Sequence, residues 1–201
     1  MYIMLSDNEL AILSCFFPDV HDRTAKELET DADLSHEPAF RTLKRLAAEG
    51  FLKEKKYGKT NVYEHIWREE SFLVFCYANM KRLLELKAKR PILLEQARDI
   101  GRHAHARVTL LLPSMDEKKE ASIICIGATH DLETVEALLK AKYVQQPQPH
   151  QQQLPKIIGK TKEEFEHLRH DDIELYHRIM GDSIIIDGIE PFFKEAYDRH
   201  G

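Results

Sequence analysis

The stretch SHEPAFRTLKRLAAEGFLKEKKYGKTNVYEHI, residues 35–66, changes its hydrophobic period once, and the fold follows from that change. From Ser35 to Gly50, Phe40, Leu43, Leu46 and Ala47 recur at three- and four-residue spacing, which predicts one buried face of an α-helix. Ser35 is a suitable N-cap and Gly50 a suitable stop. The opposite face carries His36, Glu37, Arg41, Lys44, Arg45 and Ala48, which are polar or small and mostly cationic. Beyond Gly50 the period shortens to two. Residues 51–55 and 60–64 alternate around Tyr57-Gly58-Lys59, as in a β-hairpin with glycine at its turn. Seven cations (Arg41, Lys44, Arg45, Lys53, Lys55, Lys56, Lys59) stand against four acids (Glu37, Glu49, Glu54, Glu64), so the stretch is locally basic.

Upstream, Ser6 or Asp7 can cap a helix whose apolar residues Leu10, Ile12, Leu13, Phe16 and Phe17 run to Pro18, which predicts about three turns. Thr24 and Glu27 have the spacing of a capping box and predict a short second helix. Downstream, Phe72, Phe75, Cys76, Leu83 and Leu86 give residues 69–89 a long amphipathic pattern, and a further helix runs from Pro91 to about His105. Val108–Leu112 and Ile123–Ile126 are apolar runs too short for helices and read as buried strands. Residues 131–142 are helical in pattern, and the Gln/Pro-rich tract 145–155 reads as a solvated loop. Ile157-Ile158 is a third strand, Thr161 with Glu164 caps another helix, and Ile173–Met180 continues helically. Ser183–Ile186 is a fourth strand and Pro191–Arg199 a last helix. The fold class is therefore α+β, with helix dominating.

Composition sets outer bounds. The 201 residues are 43% hydrophobic and 31% charged, a globular balance. A net charge of -5 argues against indiscriminate coating of nucleic acid, so any such contact must use a local basic surface. MYIMLSDNEL lacks the charged and apolar regions of a secretory signal, and no run approaches a membrane span, which predicts a cytoplasmic protein with no membrane partner. Cys15, Cys76 and Cys125 are far apart among apolar neighbours, and buried free thiols are expected.

Three short helices followed by a basic hairpin match a tri-helical DNA-binding core with a wing. In that arrangement Arg41, Lys44 and Arg45, flanked by His36 and Glu37, would reach phosphates or guanine edges, and Ser35 with the helix N-terminus would hold a phosphate. Lys55, Lys56, Lys59 and Thr60 on the wing would contact phosphates and fix position. The TAKEL helix, the segment LKRLAAEGFLKE and the hairpin KKYGKTNVYEH together resemble the winged helix-turn-helix domains of prokaryotic, in particular archaeal, transcriptional regulators. The resemblance covers about a third of the chain and implies double-stranded DNA as partner. It organises the chain as a DNA-binding domain over 1–66, a linking or dimerisation helix over 67–90 and a mixed α/β domain over 91–201. A homodimer is expected, with a small-molecule or protein effector for the α/β domain.

Ser122–Gly127 with Asp131-Leu-Glu, and Thr161–Phe165 through Ser183–Gly188, resemble the minimal nucleotidyltransferase domains of the DNA-polymerase-β-like superfamily. That family holds triphosphate with Gly-Ser and divalent metal with a pair of acids, which the chemistry requires. Here Pro113-Ser114 stands for Gly-Ser, Glu120-Ala121-Ser122 leaves one acid of two, and Lys156–Lys160 contains none, so the resemblance implies an inactive domain without cofactor, metal or catalytic residues. An active nucleotidyltransferase and an antitoxin-like protein-interaction module are the alternatives. His103 and His105 diverge on a helix, residues 116–119 read as a solvated connector, and His167, His170, Asp171 and Asp172 lack further ligands, so none is taken as a metal site.

Overall fold

The computed structural model describes residues 5–17, 21–113, 121–144 and 155–197, and the chain divides into two units, one ending at Met80 and the other beginning at Lys81. It is mixed α+β. Pro18, Ser114, Glu120, the 116–119 connector and most of the Gln/Pro tract lie outside the described residues.

In the N-terminal unit, α1 (Asp7–Ser14) starts where the Glu9 carboxylate accepts the Ser6 N–H at 2.7 Å. It is shorter than the three turns expected. After Ser14 the chain tightens into bonds from Cys15, Phe16 and Phe17 N–H to Ile12, Leu13 and Ser14 carbonyls, which turns both phenylalanines into the core. β1 (Arg23–Thr24) pairs antiparallel with Tyr63 and Val62 and is too short to show alternation. Thr24 then opens α2 (Ala25–Asp31) with the expected box, its N–H bonded to Glu27 and its hydroxyl accepting the Glu27 N–H.

The third helix, α3 (His36–Ala48), begins after Ser35 as expected, although the Ser35 side chain makes no capping bond. Its buried line is Ala39, Leu43 and Leu46, whereas Phe40 is 46% exposed and Ala47 half-buried. At about 100° per residue, Ala39 lies within about 40° of both leucines, while Phe40 stands about 120° from Leu46. The small side chain faces the core, and the large one is turned outward. β2 (Leu52–Tyr57) and β3 (Thr60–His65) form the hairpin in register Tyr57↔Thr60, and Gly58 at φ +61 supplies the left-handed first turn residue of a type II′ connection. The sheet order is β1-β3-β2.

Helix α4 (Glu69–Lys89) gives its first half to the N-terminal unit and its second half to the C-terminal unit. In its first half Ser71, Val74, Phe75, Ala78 and Asn79 are buried, while Phe72 and Cys76 are only half-buried. In its second half Leu86 joins the core of the C-terminal unit, and Arg82 donates to the carbonyls of Ser183 at 2.9 Å and Gly181 at 3.0 Å.

The C-terminal unit is built on a sheet of order β6-β5-β4-β7, with β4 (Val108–Leu112) antiparallel to β5 (Ser122–Ile126) and β7 (Ile184–Asp187), and β5 parallel to β6 (Lys156–Lys160). One face packs Leu111, Ile123, Cys125 and Ile184 against α5 (Pro91–Ala104) and α6 (Leu132–Val144). The other is covered by α7 (Lys162–Asp171), α8 (Ile173–Asp182) and α9 (Ile189–Tyr197). Burial on both faces explains why β4, apolar except for Thr109, shows no polar alternation. Gly101 permits close approach of α5, since a Cβ there would stand 2.2 Å from Thr109 Oγ1. Among the described residues no helix is long and apolar enough to cross a membrane.

Candidate nucleic-acid interface

The expected contact residues lie along the outer face of α3 and on the β2–β3 hairpin. The structure adds that most of the cations there already hold an acid. His36 Nδ1 lies 2.6 Å from Glu29, and Arg41 pairs with Glu37 one turn back. Lys44 reaches Glu54 on β2 at 2.8 Å, and Lys55 bonds Asp22 at 3.1 Å and Glu64 at 3.0 Å, partners that raise its pKa. Lys53, Lys56 and Lys59 are exposed with no ion pair among the described residues, and Ser35 and Thr60 are also exposed.

These pairs differ in how readily a phosphate could replace the acid. The Arg41–Glu37 pair is exposed at both ends, and such pairs contribute about 0–1 kcal/mol, so exchange is cheap. Arg45 is different: it holds Glu9 through Nε at 2.8 Å and Nη2 at 3.0 Å, and Glu9 is 1% exposed. Withdrawing Arg45 would strand a buried carboxylate, which costs far more than an exposed pair gains. Arg45 therefore works as a tie between α1 and α3, with Glu49 as its second acid at 3.1 Å. Sequence spacing could not have found this, because Glu9 and Arg45 meet only through tertiary packing. Lys44 and Lys55 are likewise committed to the hairpin framework. His36, Arg41, Lys56, Lys59 and Thr60 are the residues best placed to meet an anion.

Phe40, which its spacing predicts in the core, stands instead at the exposed flank of α3. Its ring is stacked with His36, centroids 6.3 Å apart, and lies 5.6 Å from the Lys44 ammonium. The rigid base beneath the face is sound. Arg68 donates to the Glu49 carbonyl at the end of α3 at 2.7 Å while lying 4.3 Å over the Phe51 ring. Tyr63 is pushed up to about 12 by burial and by the Glu54 carboxylate, so it remains neutral.

The remaining candidate groups separate. Among the described residues no cluster of three or more His, Cys, Asp or Glu could hold a metal ion. His105 takes a left-handed conformation at the end of α5 and meets His130, ring centroids 4.3 Å apart, instead of His103. Asp172 caps α8 by accepting the Leu175 N–H, and His167 lies against the Glu163 carbonyl. Cys125 is buried with its thiol pushed up to about 11, but Cys15 and Cys76 are only half-buried, which corrects the expectation for those two. No protein-family model matches the chain, and no curated protein matches it.

Proposed function

We propose that the chain is a DNA-binding transcriptional regulator whose N-terminal unit is a winged helix-turn-helix. In this reading α3 enters the major groove and the β2–β3 hairpin follows the adjacent backbone as a wing. The observation that carries it is an α3 with one buried line, Ala39, Leu43 and Leu46, and an open opposite face, followed directly by a hairpin with exposed lysines at its tip. His36, Arg41, Lys56, Lys59 and Thr60 then contact DNA, Ser35 offers a free hydroxyl at the helix N-terminus, and Arg45 holds α3 to α1. Pairing of two copies through α4 would present two half-sites, and Leu73, Met80 and Leu84, 66%, 53% and 60% exposed, are apolar residues on α4 that would supply the contact.

The C-terminal unit is proposed as an effector, partner or oligomerisation module with a nucleotidyltransferase-like fold and no catalysis. In support, buried Ala121 precedes Ser122 where β5 begins, and β6 is Lys-Ile-Ile-Gly-Lys, so neither strand offers the acid pair that two-metal chemistry needs.

The test is retention of genomic fragments by the wild type and by an Arg41→Ala, Lys56→Ala, Lys59→Ala variant across a salt series. Loss of phosphate contacts should lower the log–log slope by about one per contact. Equal retention and equal slope for both proteins would refute the proposal.

A further inference from the structure

Phe40 is the anomaly of the outer face. Phe40 flanks the buried line, about 60° from Leu43, yet it stays 46% exposed while Ala39, Leu43 and Leu46 close that line without it. His36, Phe40 and Lys44 follow one another at one-turn spacing, with the imidazole stacked with the ring at 6.3 Å and the Lys44 ammonium 5.6 Å from its centroid. The ring thus stands midway along α3, between His36 and the cations Arg41 and Lys44.

Base edges in the major groove are hydrogen-bonding surfaces with one exception, the 5-methyl group of thymine. A ring pressed against a carbonyl or amino edge would leave that polar group without water or partner, which is unfavourable. Against a methyl it buries apolar surface on both sides. We infer that Phe40 is a base-reading residue that packs on a thymine 5-methyl in the major groove, with Arg41 positioning the same turn on the backbone. This rests on the proposed insertion of α3 into DNA. The ring also sets a geometric limit: it specifies one thymine and leaves neighbouring positions to hydrogen-bonding side chains.

The experiment selects duplexes from a random-core library with the full chain, then remakes the preferred duplex with each thymine replaced in turn by deoxyuridine, which lacks only the methyl. Wild-type protein should lose about three- to fivefold in affinity at one position and little elsewhere, the value of one buried methyl. Phe40→Ala should bind thymine and deoxyuridine duplexes alike and select no thymine there, while Phe40→Leu should keep part of the preference. The wild-type arm decides the matter even if the variants fold poorly. A specific duplex whose thymines are all replaceable without loss overturns the role of Phe40 while leaving DNA binding standing. Failure to select any duplex overturns both.

Discussion

Acidification should destabilise the N-terminal unit through one imidazole. His65 ends β3 buried among aromatic rings, with centroids 5.8 Å from Phe16, 5.2 Å from Phe17 and 5.4 Å from Trp67. Its Nε2 lies 3.5 Å from the Ser71 hydroxyl, and Nδ1 has no hydrogen-bond partner among the described residues. Nothing there compensates a positive charge, and burial lowers its pKa from 6.5 to about 4. The unfolded chain therefore takes up a proton near pH 6.5 that the folded chain refuses until about pH 4. The associated stability is complete above pH 6.5 and is lost as pH falls toward 4. At about 1.4 kcal/mol per tenfold change, the full loss is about 3 kcal/mol, of which about 2 kcal/mol disappears between pH 7.5 and 5. That is a large share of a small domain's stability. The Thr24 N–H and hydroxyl hold the Glu27 carboxylate below its usual range, away from the titration of His65.

Trp67 is the only tryptophan and sits beside His65, so its fluorescence in urea reports this unit. The urea midpoint should fall by about 1–2 M from pH 7.5 to 5 in the wild type, and by much less in His65→Phe. A wild-type midpoint that does not move, or an equal fall in the variant, would refute the reasoning.

Arg45→Ala should destabilise the N-terminal unit by about 2 kcal/mol in the same assay by stranding buried Glu9, whereas Arg41→Ala should cost under about 0.5 kcal/mol. The difference separates structural from DNA-facing arginines before any DNA is added. Gly101→Ala should lower the thermal midpoint of the C-terminal unit, seen by circular dichroism, because the new methyl meets Thr109 at 2.2 Å and overpacking costs about 1–3 kcal/mol. Arg82→Met keeps the aliphatic stem but removes the donors to Gly181 and Ser183, with an expected loss of about 2 kcal/mol.

Local signals were read well from sequence where the physics is local. The Thr24 and Thr161 capping boxes involve atoms three residues apart, and both form. The hairpin needed only alternation and Gly58. Two-residue β1 carried no pattern, because its strand geometry comes from pairing with Tyr63 and Val62. The assignment of Phe40 failed because spacing alone admits two apolar lines on α3, one through Phe40 and one through Ala39. The choice between them is made by what the other helices leave room for.

What the sequence determined by itself is the order and type of the elements other than β1, and the concentration of cations between Ser35 and Ile66 in an acidic chain, since periodicity and charge are properties of neighbours. The tertiary structure decided which of those charges are spoken for. Arg45 is claimed by Glu9, 36 residues away, and Lys55 by Asp22, 33 residues away. Ion pairing depends on distance in space, so only the fold could convert a basic stretch into a small set of cations open to a partner, with an aromatic ring among them.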